Sequence, residues 1–306
     1  VLIGHQVGKA INSTDANGTI GIGHQALTAL TSGAGNVAIG YNAMLEHQTG
    51  GSNTVIGHNA MNDSNNHAGE HNVFVGTTSG AGGWSGAASS NTAIGSFSFG
   101  GGAKTAAAVN NVAVGRDSLY ALTSGHSNVA LGKSAGVSIT TMSETTLVGF
   151  NAGSALSTGT GQNVAIGSEA LSTATSVQFT TAVGYKALQG ISAAAADDNQ
   201  TTGIGWAAGY NITTGLRNTA IGAQALLDNQ TGNNNTAVGQ LALENTTGAE
   251  SVGVGKGAGQ TNTSGINNTF VGTDADSSGN FNYQTAVGWQ AVTDGSYGVA
   301  IGMNGI

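Results

Sequence analysis

The amino-acid sequence predicts an all-β fold, a parallel β-solenoid in which each short repeat forms one coil. Three observations predict it. An aliphatic residue followed by glycine returns from Gly4 to Gly302 in 17 intervals, a mean period of about 17.5 residues, and a fixed period of this kind is typical of solenoids. The chain has 52 glycines and no proline, and only 7% of its 306 residues are charged. Each glycine is preceded by a short segment of strand-forming residues. We therefore expect residues 1–306 to form a single solenoid of about 18 coils.

The composition limits the classes of function. The chain has no cysteine, which excludes disulfides, thiolate catalysis and cysteine-based metal sites. Its net charge of −8 with only 7 Lys and Arg provides no basic stripe for nucleic acid or anionic lipid. The apolar runs are a few residues long, too short for a transmembrane helix. We expect neither a nucleic-acid partner nor insertion into a membrane.

The repeat begins with a strand, for which residues 163–167 (Asn-Val-Ala-Ile-Gly) serve as the type. Side chains alternate along a strand, so Val164 and Ile166 share one face and Ala165 lies on the other. The fourth position of the repeat is aliphatic throughout, and we expect this column to form the core of the coil. The third position is mostly alanine, and we expect its small side chains to face another copy of the chain.

A second strand is predicted two residues after each glycine, where alanine is followed by a larger apolar residue. It is predicted at Ala26 with Leu27, Ala43 with Met44, Ala60 with Met61, Ala170 with Leu171, Ala187 with Leu188, Ala225 with Leu226, Ala242 with Leu243 and Ala291 with Val292. A polar turn rich in Gly and Asn then closes the unit, since these residues suit tight turns.

Asparagine opens most repeats in the same position. In stacked coils such side chains can form a ladder of amide hydrogen bonds; the alternative is that asparagine is only a turn-forming residue here. The members are Asn36, Asn53, Asn72, Asn91, Asn111, Asn128, Asn163, Asn218, Asn235 and Asn268.

One coil is not stable alone. Two or three buried aliphatic side chains contribute about 1.5–3 kcal/mol each, whereas ordering about 17 residues costs about 1–2 kcal/mol per residue. Stacking resolves this, and at about 4.8 Å per coil it predicts a rod about 80 Å long. Because the chain opens inside a repeat and closes just after one, we expect a segment of a longer fibre or a subunit that stacks end to end.

The phrases at residues 36–40, 163–167, 218–222 and 235–239 (Asn, Val or Thr, Ala, Ile or Val, Gly) resemble the head repeats of YadA-type trimeric autotransporter adhesins. They are also similar to repeat shafts of bacteriophage tail fibres. The resemblance covers essentially the whole chain, although the unit is longer than in YadA heads. It implies a left-handed parallel β-roll wound as a homotrimer, displayed outside a cell or on a virion for attachment to a host-surface glycan or protein.

The residue after each repeat glycine is the main candidate for binding. Exposed aromatic and histidine side chains along a rod are able to stack sugars or grip a surface, whereas the alternative is that this position simply tolerates any solvent-facing residue. The candidate binding column consists of Tyr41, His58, Tyr185, Trp206 and Trp289. A further alternative places a metal between copies of His5, His24 and His58, since imidazole is a common ligand.

Two other features carry weaker predictions. Asp274, Asp276, Ser278 and Gly279 are similar to the opening of an EF-hand calcium loop, but the twelfth position is Thr285 instead of glutamate. The longest insertions lie at residues 96–114 and 185–204, and protruding loops are frequent binding sites; variation in length without a function explains them equally well.

The function predicted from these features is that of a non-enzymatic extracellular fibre, an adhesin head or a tail-fibre shaft that mediates attachment. The alternative is a structural subunit of an extracellular filament built by end-to-end stacking. An acyltransferase of the left-handed β-helix type fits poorly, because the hexapeptide pattern breaks at Ser172 and Gln178. An ice-binding rod also fits poorly, because no Thr-x-Thr array is present. No catalytic residue, cofactor or metal site is predicted.

Overall fold

The computed structural model describes residues 1–12, 14–65, 67–157, 159–191 and 199–302. Contacts group the chain into two compact units, Val1–Thr160 and Gly161–Ile306. Each unit is a parallel β-solenoid with coils of about 17 residues, which confirms the predicted fold class. The described residues contain no α-helix; one 3-10 helix spans Thr14–Ala16.

The first unit contains one short strand per coil. The described strands are β1 (Leu2–Ile3), β2 (Ile20–Ile22), β3 (Val37–Ile39), β4 (Thr54–Ile56), β5 (Val73–Val75), β6 (Thr92–Ile94), β7 (Val112–Val114), β8 (Val129–Leu131) and β9 (Thr146–Val148). Within this unit, consecutive strands pair in parallel, so equivalent residues lie side by side: Val37 is opposite Thr54, and Thr54 is opposite Val73.

The second unit repeats this arrangement and adds a small second sheet. Its main strands are β10 (Val164–Ile166), β11 (Thr181–Val183), β12 (Thr202–Ile204), β13 (Thr219–Ile221), β14 (Thr236–Val238), β15 (Val252–Val254), β16 (Thr269–Val271), β18 (Thr285–Val287) and β20 (Val299–Ile301). The second sheet consists of β17 (Asp276–Ser277) and β19 (Val292–Thr293), which are also parallel.

The strand faces are inverted relative to the prediction. The third-position side chains, such as Ala165, are fully buried, whereas Ile94 and Ile166 in the fourth position are 41% and 39% exposed. The expectation that the fourth position forms the core was therefore wrong, and so was the expectation that the alanine face meets another chain. Alternation shows which residues share a face but not which face turns inward. The interior is narrow, and in many coils a buried leucine or methionine, such as Leu27, Met44 or Leu188, lies beside the third-position column.

The second predicted strand is a turn in most coils. Ala26 and Leu27 are fully buried, but Leu27 and Met44 have φ of 57° and 53°, which no β-strand contains. A left-handed residue costs about 1–2 kcal/mol, and burying leucine returns about 1.5–3 kcal/mol. Among the described residues, only the pair Ala291 with Val292 meets a strand, β19.

The repeat glycine sets the spacing between coils. Gly40 has φ of +139°, and a Cβ atom built there would lie 2.4 Å from the carbonyl oxygen of Gly57 in the next coil. The same conflict recurs at Gly132, where a Cβ atom would lie 2.3 Å from the oxygen of Gly149. Any side chain at this position would force adjacent coils apart, so glycine recurs in every repeat.

The asparagine ladder is confirmed from Asn36 to Asn128, where each side-chain amide donates to the asparagine of the preceding coil. In the second unit the same position also holds Thr180, Thr201, Ser251 and Gln284, so the ladder is interrupted there. Asn36, Asn53 and Asn72 are fully buried, and the oxygen of each side chain accepts from the next coil: Asn53 Nδ2 lies 3.1 Å from Asn36 Oδ1, and Asn72 Nδ2 lies 3.1 Å from Asn53 Oδ1. Each amide also donates across its coil, as Asn53 does to the carbonyl of Gly69 at 2.9 Å. The asparagine therefore closes its own coil and links it to the next.

The insertion at residues 96–114 folds largely into the coil, against the expectation of a protruding loop. Phe99 and Lys104 are fully buried, while Phe97 is 37% exposed. Lys104 Nζ donates to the carbonyl of Gly102 at 2.5 Å and lies 4.8 Å from the centroid of the Phe99 ring. In the other insertion Ile191 is buried, and the predicted loop residues Ala193 to Asp198 lie outside the described residues.

Candidate binding surface

In most of the described coils the residue after the repeat glycine is exposed, and these residues form a column that includes Tyr41, His58, Tyr185, Trp206 and Trp289. The left-handed φ of this glycine turns the chain out of the strand. In the first unit, ring centroids are 5.2 Å apart for His5 and His24, 5.1 Å for His24 and Tyr41, and 5.1 Å for Tyr41 and His58. Adjacent rings are within 16° of parallel, and Tyr41 is 46% exposed. The coil spacing thus builds a stacked array of four rings.

This stacking does not suit a metal shared by neighbouring histidines of one chain. Imidazole lone pairs lie in the plane of the ring, and the planes of His5 and His24 are only 16° apart, so their lone pairs do not converge on an ion about 2.0–2.1 Å from each nitrogen. Among the described residues, no group of three or more His, Cys, Asp or Glu could hold a metal. A metal held between copies of the chain stays a prediction.

In the second unit, two members of the predicted column line a pocket with a volume of about 330 Å³. Tyr185 and Trp206 are 45% and 52% exposed and come from adjacent coils. Tyr210 and Leu227 line it as well, with Ala207 contributing a small buried residue. Ligand pockets usually combine such apolar surfaces with a few polar groups.

The polar groups of the pocket are Lys186, Asn211 and Gln224. Lys186 Nζ lies 5.3 Å from the ring centroid of Tyr185 and 6.0 Å from that of Tyr210. Its hydrogen bond with the Tyr185 side chain raises the pKa of Lys186, so the amine is charged at neutral pH. Asn211 Nδ2 donates to Asp228 Oδ1 at 2.7 Å, which fixes the orientation of the amide.

Sequence reasoning identified Tyr185 and Trp206 but missed Tyr210 and Lys186. The sequence did hold a signal for Tyr210: it stands five residues after the repeat glycine Gly205, so the period places it in the same coil as Trp206. The side chain that follows Trp206 in the column is the small Ala223, so no large group covers Trp206 from that side.

Trp289, the remaining predicted column residue, lies apart from this pocket. It is 54% exposed, and four coils separate it from the coil of Trp206, with Ala223, Gln240, Lys256 and Thr273 between them in the column. In the first unit, Lys133 Nζ lies 5.6 Å from the ring centroid of Phe150 at the same column position.

The candidate calcium loop has a different local structure. Asp276 lies in β17, and its carboxylate accepts from the backbone N–H of Thr261 at 2.9 Å and of Ser277 at 2.8 Å. Burial raises the pKa of Asp276. The carboxylate therefore links two coils of the solenoid.

Comparisons of the chain with models of known protein families and with curated protein sequences give no match. None of the described residues forms a helix that is long and apolar enough to cross a membrane. The column and the pocket are therefore the features of the molecule that bear on its function.

Proposed function

We propose that this protein is a non-enzymatic fibre module that acts outside the cell, as an adhesin head or a tail-fibre shaft, and binds a glycan on a host or other surface. The observation that carries the proposal is the pocket formed by Tyr185, Trp206 and Tyr210 on consecutive coils. Aromatic faces carry partial negative charge, so they attract the C–H groups on the apolar face of a pyranose ring. Asn211 and Gln224 supply the hydrogen-bonding groups that sugar hydroxyls require.

The solenoid holds these residues in place before a ligand binds. The backbone of each pocket coil bonds to its neighbour, as Ala207 N does to Tyr185 O at 2.9 Å and Gln224 N to Trp206 O at 2.9 Å. A preformed site loses less conformational entropy on binding, which favours affinity. Repetition along a fibre would add multivalency, which raises avidity even where each site binds weakly.

We also propose that the coils are left-handed and that three chains assemble through the outward face of the strands. This face bears a continuous column of aliphatic residues, of which Ile166, Ile204 and Ile221 are 39%, 39% and 37% exposed. The second-position column beside it consists of Val, Thr and Ile20, so neither column carries a charge. The columns repeat at the spacing of the coils, so two identical parallel chains present the same period to each other. Another copy of the chain is therefore the partner that fits this face best.

Light scattering coupled to size-exclusion chromatography tests the assembly. We expect a mass of three times 29.9 kDa, and we expect Ile166→Lys with Ile221→Lys to give monomers, since a buried unpaired charge is costly. Gln240→Lys, at an exposed column position, is the matched control. A monomeric wild-type chain would refute the trimer, and long filaments in electron microscopy would support end-to-end assembly instead.

A glycan array tests the attachment function. Trp206→Ala should remove binding, while Phe150→Ala, at the same column position in the first unit, should leave it unchanged. Binding that survives the loss of Trp206 would place the site elsewhere, and failure of the wild-type protein to bind any glycan would refute the proposed function.

A further inference from the structure

We propose that the pocket prefers an anionic sugar, a pyranose that carries a carboxylate or a sulfate, and that Lys186 is the residue that selects it. This inference rests on the proposed glycan-binding function and specifies its ligand. Among the residues that the structure describes, the side chains that line the pocket include one cation, Lys186, and no anion. That asymmetry stands out in a chain with 15 Asp and Glu but only 7 Lys and Arg.

The ammonium group of Lys186 is held at the aromatic surface. Its Nζ atom lies within 6.0 Å of the ring centroids of both Tyr185 and Tyr210, a range in which cations are attracted to aromatic faces. An ammonium group has three N–H donors. The Tyr185 side chain engages one of them, and the carboxylate of Glu169 lies 3.6 Å from Nζ, beyond the length of a hydrogen bond, so donors remain for a ligand.

The existing partner of Lys186 is easy to replace. Lys186 Nζ lies 3.6 Å from Glu169 Oε2, and both side chains are 29% exposed. Exposed ion pairs of this kind contribute little to stability. The same oxygen of Glu169 also accepts from Gln189 Nε2 at 3.0 Å, so Glu169 keeps a hydrogen bond when a ligand carboxylate takes its place beside Lys186.

The remaining groups fit the rest of such a sugar. Trp206 offers the exposed ring face on which the apolar side of a pyranose stacks. Because Asn211 Nδ2 donates to Asp228, the Oδ1 atom of Asn211 is oriented away from Asp228 and is able to accept from a sugar hydroxyl. The ligand is therefore held by stacking, by neutral hydrogen bonds and by one charged contact, and only the charged contact distinguishes an acidic sugar from its neutral parent.

The decisive experiment compares sugars that differ only in charge. The full chain is titrated with methyl β-glucuronide, methyl β-glucoside and methyl β-glucoside 6-sulfate, with binding followed by ligand-detected NMR. Hydrogen bonds to charged groups exceed neutral ones by about 1 kcal/mol, so we expect the two anionic sugars to bind about fivefold more tightly than the glucoside. The ratio between glucuronide and sulfate shows which anionic group the site favours.

Two variants separate the roles of the groups. Lys186→Met removes the charge and keeps the length of the side chain, and we expect it to bind all three sugars with the affinity of the glucoside; Lys186→Arg should restore much of the preference. Lys133→Met, which removes the cation beside Phe150 in the first unit, is the matched control and should change nothing. Thermal denaturation of each variant checks that the fold is intact.

The outcomes distinguish this inference from the proposed function. Equal affinity of the wild-type protein for the three sugars, or a preference for the anionic sugars that persists in Lys186→Met, would overturn the role of Lys186 while glycan binding stands. Absence of binding to all three sugars and to every glycan on the array would overturn both.

Discussion

The buried amine of Lys104 makes the stability of the first unit depend on pH in a defined window. The side chain is fully buried, its Nζ atom has one hydrogen bond to the carbonyl of Gly102, and it contacts the ring of Phe99. Desolvation lowers the pKa of Lys104 from 10.5 to about 7. The folded chain therefore holds this amine neutral above pH 7, whereas the unfolded chain keeps it charged up to about pH 10.5.

The sign and size of the effect follow from proton linkage. Between the two pKa values the unfolded state binds more protons, so the free energy of unfolding rises with pH, by about 1.4 kcal/mol per pH unit. The cost of burying the amine is about 4 kcal/mol at pH 7.5 and about 1.4 kcal/mol at pH 9.5. We expect the first unit to gain about 2.5 kcal/mol of stability over this interval.

Urea denaturation at pH 7.5, 8.5 and 9.5 measures this gain. Trp84 is a suitable fluorescent reporter, because it is 1% exposed and lies in the same unit. Lys104→Met should abolish the pH dependence and raise the stability at pH 7.5, since methionine fills similar space without a charge. Lys133→Met, which removes an exposed lysine, should keep the wild-type slope. A wild-type stability that is flat over this window, or a slope that persists in Lys104→Met, would refute the reasoning.

Three further predictions concern the repeat itself and are all measured by thermal or urea denaturation. Gly239→Ala should destabilise the second unit by about 2–4 kcal/mol through backbone strain and overpacking, because the added Cβ atom would lie 2.3 Å from the carbonyl oxygen of Gly255. The control Gly295→Ala should cost far less, because nothing lies within 4 Å of a Cβ atom built there. Equal losses of stability in the two variants would contradict the steric explanation. Asn111→Ala should cost about 3 kcal/mol, since it leaves the carbonyl of Gly125 and the amide of the next coil without partners, and a loss below 1 kcal/mol would show that the ladder is dispensable. Burial lowers the pKa of His47, so the unfolded state binds more protons below about pH 6.5 and the free energy of unfolding should fall as the pH drops. His47→Asn should remove this pH dependence; asparagine suits the position because Asn229 donates to the carbonyl of Gly232 in the same way in a later coil. A pH dependence that is unchanged in the variant would show that other groups cause it.

The sequence by itself determined the period, the parallel stacking and the exposed column. The repeat glycine with its left-handed φ, and in many coils a buried asparagine four residues before it, leave little freedom, because these residues contact the equivalent position of the next coil. Local pattern is enough here, since every coil has nearly the same neighbours. The positions of Tyr185 and Trp206 followed directly from that period.

Only the tertiary structure decided which face of the strand turns inward. The alternation of side chains is the same whichever face of the strand is buried. The buried face depends on Leu27 and its equivalents, which are held in a left-handed turn and fill a narrow interior that suits a small side chain such as alanine on the strand. The structure also decided that Lys104 enters the core and that Tyr210 and Lys186 join Tyr185 and Trp206. These contacts join residues that turn geometry brings together across coils, and the curvature of a turn is not encoded in hydrophobic alternation.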